Sequence, residues 1–237
     1  MSQTEAREGA VGPPSGAARP VRIFHVDDHP AVSQALEYAT GEEQDLRVCG
    51  SARSVPEALE AIRRCEPGVV VVDIAMPGVS GLELVRTLRE ERPRLPVVVF
   101  SMWDEVIFAE RALRAGALGY VMKSEPVQAV LRAVRRALAG QITLSEAMTT
   151  RLLGRAAGVV PPGDEAPDSI PSRLTDRELE VFRLIGQGCT VRAAAAALKV
   201  SPKTVESHCG SIKRKLGLRN AVELQQRAAL WVNAPPS

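Results

Sequence analysis

Aromatic residues are scarce, 3% of 237, and this is the one departure from the composition of an ordinary soluble globular protein. Long apolar runs are missing. None approaches the roughly 20 residues needed to cross a bilayer, so no membrane partner is expected. The first nineteen residues are rich in Gly, Ala, Pro and Ser and lack the apolar segment of a signal peptide, which predicts a disordered arm over 1–19 and a cytoplasmic protein. Cysteine is sparse too. Cys49, Cys65, Cys189 and Cys209 are widely spaced with no CxxC pair, and they read as small buried hydrophobes in a reducing compartment rather than metal ligands or disulfide partners.

Charge is unevenly spread. Residues 20–145 carry fifteen Lys/Arg against seventeen Asp/Glu, a net charge of −2, whereas residues 172–233 carry eleven against five, a net charge of +6. The C-terminal part holds the positive field. On charge alone, a polyanionic partner and a solvated basic helical face fit it equally well.

The stretch Val69-Val70-Val71-Val72-Asp73 organises the rest. An unbroken β-branched run predicts a strand buried on both faces, and the Pro77-Gly78 pair just beyond it predicts a turn. Around it the chain alternates strand and helix patterns. Val21–Val26 ends at Asp27-Asp28, and a helix over 31–41 follows His29-Pro30. A strand near Leu46–Ala52 leads to a helix over 55–65, with Ser54 and Glu57 spaced as a capping box. Ser80 and Glu83 have the same spacing before a helix over 81–92. Val97–Phe100 ends at Ser101 and precedes a helix over 104–115 that stops at Gly116. Leu118–Met122 ends at Lys123 and precedes a helix over 126–139.

Five strands alternating with five helices predict a doubly wound parallel sheet, α/β in class, with helices on both faces. In such sheets the sites form beyond the carboxyl ends of the strands. Asp27, Asp28, Asp73, Ser101 and Lys123 all fall at those ends. Any one of them has an ordinary explanation, such as a turn, a cap or a solvated lysine, but their joint placement points to one crevice. An isolated buried Asp would be costly, so Asp73 needs a cation or a chemical partner. Clustered carboxylates resist ionising together, and a hard divalent cation with oxygen ligands, Mg²⁺, relieves them. Asp28 and Asp73 are the expected direct ligands, with Asp27 acting through a water and the Ala75 backbone carbonyl adding an oxygen. The Asp73 carboxylate would attack a phosphoryl group, with Lys123 and Ser101 meeting its oxygens.

These residues resemble those of a known family. Asp27-Asp28, Asp73 with Met76-Pro77 and Gly81 after it, Ser101, and Lys123 with Glu125-Pro126 are similar to the receiver domain of two-component response regulators, covering 20–140. The resemblance implies phosphotransfer from a sensor histidine kinase and a switch in which Ser101 moves inward and Tyr120 follows. Two positions depart from the common pattern. His25 replaces an aliphatic residue in the first strand and reads as a satisfied core histidine. Trp103 lies two residues past Ser101 and is expected, with Ala75, to set the lifetime of the phosphate.

Residues 141–171 read as a linker that holds one possible helix over 141–156, capped by Ser145; from Gly158 the stretch is rich in Pro, Gly and Asp. Thr175 and Glu178 form another capping box, opening a helix that ends at Gly188. A short alanine-rich helix spans Ala193–Leu198. Ser201-Pro202 then starts a helix in which Val205, Cys209, Ile212 and Leu216 form one inward stripe. Its outer face is small and basic, which suits the second helix of a helix-turn-helix entering a major groove. Gly217 ends it, and a helix over 220–232 follows. Lys203, Glu206, Ser207 and Gly210 are expected nearest the groove, and Thr204, Lys213, Arg214 and Lys215 near phosphates. The motifs Leu174-Thr175-x-Arg177-Glu178-x-Glu180-Val181, Ser201-x-Lys203-Thr204-Val205-x-x-His208 and Lys215-Leu216-Gly217 make 172–233 resemble an all-α LuxR-type DNA-binding domain. With the receiver before it, the chain is similar to NarL/FixJ-type response regulators.

The expected function is a transcription regulator that binds double-stranded DNA, as a homodimer once Asp73 is phosphorylated. No catalysis is expected beyond accepting the phosphoryl group and slow autodephosphorylation. Unphosphorylated, the receiver would cover or misplace the C-terminal domain. Two alternatives stay open at this point. One is a phosphohydrolase, disfavoured because Ala75 stands where a second Asp would act as acid. The other is a phosphate-independent DNA-binding protein whose receiver only dimerises.

Overall fold

A computed structural model describes residues 19–76, 78–158 and 170–233. The predicted arm, apart from Arg19, lies outside the described residues, as do Pro77 and the linker stretch 159–169.

The first half builds the expected series: β1 (Val21–Val26), α1 (Pro30–Gly41), β2 (Leu46–Ala52), α2 (Val55–Cys65), β3 (Val69–Val72), α3 (Gly81–Glu91), β4 (Val97–Ser101), α4 (Glu105–Ala115), β5 (Gly119–Met122) and α5 (Val127–Leu138). All strand pairs are parallel, in the order β2-β1-β3-β4-β5. The central position of β3 explains its composition. Val69 and Val71 pack on one side of the sheet with Leu36, Leu131 and Val134, and Val70 and Val72 pack on the other with Ile62, Leu88 and Phe108. All four are fully buried, and each such side chain contributes roughly 1.5–3 kcal/mol relative to exposure. α1 and α5 cover the first side; α2, α3 and α4 cover the second.

Helix ends follow the sequence unevenly. Asp104 caps α4 and Gly116 closes it with φ +115°. The Ser54 box does not form. Ser54 makes no cap hydrogen bond, and Glu57 instead accepts from the Arg53 N–H at 2.8 Å. The Ser80 box forms by half. The Ser80 hydroxyl accepts from the Leu82 N–H, but Glu83 turns away to pair with Arg86.

Beyond α5 the chain does not leave the receiver at once. Thr143 pairs beside Gly119 at the sheet edge, and α6 (Glu146–Ala156) buries Met148. Ser145 caps α6 as expected, though the helix begins at Glu146, not 141. The C-terminal unit comprises α7 (Ile170–Arg173), α8 (Asp176–Gly186), α9 (Val191–Ala197), α10 (Pro202–Leu216) and α11 (Ala221–Val232). The Thr175–Glu178 capping box is complete. α9 starts two residues before the predicted boundary because Thr190 caps it. Gly186 lets α8 and α11 touch backbone to backbone, since a Cβ there would lie 2.5 Å from the Ala228 carbonyl oxygen. The apolar core on the α2–α3–α4 side runs on through Trp103, Ile170 and Leu174 into this unit, so the two halves are packed together. No helix among the described residues is long and apolar enough to cross a membrane.

Candidate phosphoryl-acceptor site and nucleic-acid interface

The parallel sheet brings the five strand-end residues together. The Asp73 N–H donates to the Val26 carbonyl at 2.8 Å, which holds the end of β3 beside that of β1. Gly81 lets the start of α3 close over this turn; a Cβ there would stand 2.0 Å from the Asp73 carbonyl oxygen. The Asp73 side chain is fully buried. Its Oδ1 accepts from the Ser101 hydroxyl and from the Ala75 N–H, both at 2.9 Å. Its Oδ2 lies 2.6 Å from Lys123 Nζ, which also reaches Asp27 Oδ2 at 2.5 Å.

Asp27 accepts from the His29 N–H at 2.9 Å. Burial alone would raise its carboxyl, but the neighbouring His25 ring and the Lys123 ammonium outweigh that and hold it at about 2. His25 is buried, with Nδ1 3.1 Å from Ser33 Oγ and Nε2 3.6 Å from Asp27 Oδ2, so it supports the pocket from beneath. Asp27, Asp28, His29 and Asp73 offer ligand atoms within 4.8 Å of one another. The three carboxylates are hard oxygen donors, and among the described residues buried Asp28 Oδ1 has no hydrogen-bond partner, the His29 ring nitrogen lying 2.9 Å away. That donor set fits Mg²⁺.

Tyr120 is already buried in this conformation, its hydroxyl donating to the Trp103 carbonyl at 2.7 Å, and burial pushes its phenol well above the ordinary value. Ser101 is hydrogen-bonded to Asp73 in the same conformation. The Trp103 ring has partners of its own. It packs on Phe108, and the Arg183 guanidinium of α8 lies 3.7 Å over its centroid. Burial lowers Arg183 to about 10.

That stacking belongs to an interface the sequence did not disclose. Asp176, nearly buried at the start of α8, receives Arg86 from α3 at 2.5 Å and Arg111 from α4. Ser80 donates to Glu180 Oε1 at 3.3 Å. Glu180 is wholly buried, and that burial raises it to about 7 even though Arg177 lies 2.5 Å from its other oxygen. Lys199, in the turn between α9 and α10 with φ +50°, extends its ammonium to Asp28 Oδ2. The C-terminal unit thus puts a cation of its own at the mouth of the acidic pocket.

On α10 the inward stripe is as expected, with Val205 and Ile212 buried and Cys209 and Leu216 half-buried. Lys203, Glu206, Ser207, Gly210 and Arg214 are exposed on the outer face. Nothing lies within 4 Å of a Cβ built at Gly210, so that face is open. The receiver therefore does not cover this outer face of α10. Three of the residues expected near phosphates have neighbours within the domain. Lys215 is 2.6 Å from Glu178 Oε2, and although burial raises that carboxyl, Lys215, Ser211 and Thr175 together bring it down to about 2. Thr204 turns its hydroxyl to Ser201 at 2.8 Å. Lys213 is half-buried along a groove between α8, α10 and α11.

Residues 23–135 match the family described as response regulator receiver domain, and residues 172–228 match bacterial regulatory proteins, luxR family. The transcriptional activator protein ExaE of Pseudomonas putida is 37% identical over 85% of this chain and 92% of its own length. The nitrate/nitrite response regulator NarL of Escherichia coli is 31% identical over 90% and 95%. Among solved structures, RcsB of Salmonella enterica serovar Typhimurium bound to promoter rprA with a phosphomimetic is 25% identical, covers 89% of this chain and 98% of its own, and superposes with a TM-score of 0.57.

Proposed function

The chain belongs to the response regulators that join a receiver domain to a LuxR-type DNA-binding domain and control transcription, and on that premise we propose that Asp73 is the phosphoryl acceptor whose state decides whether the C-terminal unit is free to bind DNA. The observation that carries this is the Asp73 carboxylate, held by Ser101 on one oxygen and Lys123 on the other at the end of the central strand.

In the proposed reaction one Asp73 oxygen attacks the phosphorus of a phosphohistidine on a sensor kinase, and the histidine nitrogen leaves with the bond electrons. The phosphoryl oxygens then take over the Ser101 hydroxyl and the Lys123 ammonium as partners. A Mg²⁺ ion held by Asp28 and Asp73, with Asp27 and the Ala75 carbonyl beside it, would offset the charge that builds on the phosphoryl oxygens. Ala75, two residues after Asp73, supplies no general acid for rapid turnover, so the phosphoryl group persists and is lost only by slow autodephosphorylation. The chain is a transcription regulator rather than an enzyme.

The docked conformation supports control by misplacement. Lys199 is four residues before Lys203, so the first turn of α10 lies within roughly 14 Å of backbone contour from the residue whose side chain reaches Asp28. A duplex admitting α10 to its major groove would bring phosphates against the Asp27/Asp28/Asp73 cluster and the receiver surface. Release of Lys199 and its unit removes that conflict. Val222 and Leu230 are strongly exposed on α11 and suit a dimer of the released form, reading half-sites about 34–36 Å apart. RcsB, similar in fold, was captured on a promoter with a phosphomimetic. The test is intact mass after acetyl phosphate and Mg²⁺, with DNA binding measured in parallel. An adduct on the wild type that is absent in Asp73→Asn, and DNA affinity that rises with the adduct, are expected. No adduct, with unchanged DNA binding, would leave the phosphate-independent reading; continuous phosphate release would leave the hydrolase.

A further inference from the structure

Cys49 and Cys65 are sixteen positions apart and share no recognisable motif, yet the fold sets their sulfur atoms 2.7 Å from each other. Cys49 is on β2, the edge strand of the sheet, and Cys65 is the last residue of α2, which runs back antiparallel to that strand. Both are half-buried. The Cys65 thiol also lies 3.4 Å from the Cys49 carbonyl oxygen, and exposed Arg22 donates to Cys65 Sγ from 3.3 Å. Both are free thiols, and the fold sets them side by side.

We propose that Cys49 and Cys65 form a reversible intramolecular disulfide, a redox modification site on the β2–α2 edge of the receiver whose reaction partner is a low-molecular-weight disulfide. The two thiols have distinct roles. The Arg22 guanidinium donates directly to Cys65 Sγ, at the end of α2. At Cys49, burial and the adjacent Cys65 push the thiol up to about 11, outweighing Arg22, which also draws it down. Cys65 is thus the attacking sulfur. Its thiolate displaces one thiolate from the small disulfide and forms a mixed disulfide. Cys49 then attacks Cys65 Sγ and gives its proton to the departing second thiolate. Two protein thiols lose two electrons and the small disulfide is reduced to two thiols. The bond would tie an edge strand to its covering helix and close the segment between them, limiting the unfolded chain.

The experiment uses the reduced full-length chain and glutathione disulfide, followed by iodoacetamide, intact mass and peptide mapping without reductant. The expected result is loss of two alkylatable thiols, a peptide that joins Cys49 to Cys65, reversal by dithiothreitol, and a thermal midpoint raised by roughly 5–10 °C. Cys49→Ser should keep glutathione on Cys65, whereas Cys65→Ser should carry none on Cys49. Both thiols remaining alkylatable, a joined peptide using Cys189 or Cys209 instead, or a Cys49→Ser protein without an adduct at Cys65 would each overturn the proposal.

Discussion

Removing both arginines that hold Asp176 should undock the C-terminal unit without touching it. Arg86 and Arg111 lie on the receiver, 40% and 16% exposed, and converge on a carboxylate that is only 5% exposed. An exposed pair is worth about 1 kcal/mol or less, but stripping the partners from a buried charge costs about 3–5 kcal/mol, because the charge stays desolvated and uncompensated. Asp176 can escape that cost only by returning to water, which means leaving the receiver. The docked state of an Arg86→Ala/Arg111→Ala double variant should therefore lose roughly two to four orders of magnitude in its equilibrium against the open state. Small-angle X-ray scattering of the unphosphorylated protein should show a larger radius of gyration, and DNA affinity without acetyl phosphate should approach that of the phosphorylated wild type. The other docking contacts set the sensitivity. If Arg183 on Trp103 and Lys199 on Asp28 together hold less than those few kcal/mol, opening is nearly complete. A double variant with unchanged scattering and unchanged phosphate-free DNA binding would refute the view that this buried carboxylate holds the halves together.

Three further outcomes follow from the same geometry. Lys199→Ala removes a half-exposed competitor from Asp28, so Mg²⁺ affinity measured by calorimetry should rise about fivefold, in keeping with a pair worth about 1 kcal/mol; weaker Mg²⁺ binding would contradict it. Glu180 carries a raised carboxyl, to about 7, in the docked state. The docked state thus binds the extra proton, so its stabilisation is complete below the ordinary carboxylate value of about 4.5 and is lost as pH rises towards 7, by at most about 3 kcal/mol. Scattering should show progressive opening between pH 5 and 8, flattened in Glu180→Gln; opening at falling pH would refute the sign. Lys203→Ala on the open face of α10 should weaken DNA binding and lower the salt slope by about one, measured by fluorescence anisotropy, whereas Lys215→Ala should act mainly on stability through Glu178.

The acidic pocket was legible because it follows from topology. A parallel sheet places every strand's carboxyl end on one edge, so Asp27, Asp73, Ser101 and Lys123 meet wherever the strands are correctly identified, and the four-valine run made β3 unmistakable. The helix caps were less legible, since a capping box is a local pattern that tertiary partners can dissolve. Thr175 and Glu178 form theirs because Glu178 Oε2 meets Lys215 without leaving the Thr175 N–H. Ser80 is drawn to the Ile74 carbonyl and Glu180, and Glu83 to Arg86. The Lys199–Asp28 contact joins residues 171 positions apart and leaves no periodic trace. The Cys49–Cys65 pair was hidden for a related reason: sixteen positions match no metal or disulfide motif, and only the antiparallel run of helix on strand brings them together.

Lys199 alone cannot account for control by phosphate. Moving a two-state equilibrium from 1:99 to 99:1 needs about 5.5 kcal/mol of differential interaction, and displacing one half-exposed lysine supplies about 1 kcal/mol. The remainder must reach the other docking contacts, and the structure offers one continuous set. Ser101 Oγ, which donates to Asp73, also accepts from the Trp103 N–H at 3.3 Å, and Tyr120 holds the Trp103 carbonyl at 2.7 Å. The Trp103 ring in turn carries Arg183 of α8. A phosphoryl oxygen that claims the Ser101 hydroxyl alters the support of the ring on which the C-terminal unit rests. Linkage makes the effect reciprocal. DNA that selects the open state must shift the phosphorylation equilibrium of the receiver towards the phosphorylated form by the same factor by which phosphate raises affinity for DNA. Trp103→Ala should cut that coupling in both directions while leaving acetyl phosphate able to modify Asp73; a variant in which phosphate still raises DNA affinity to the wild-type extent would show that the signal takes another route.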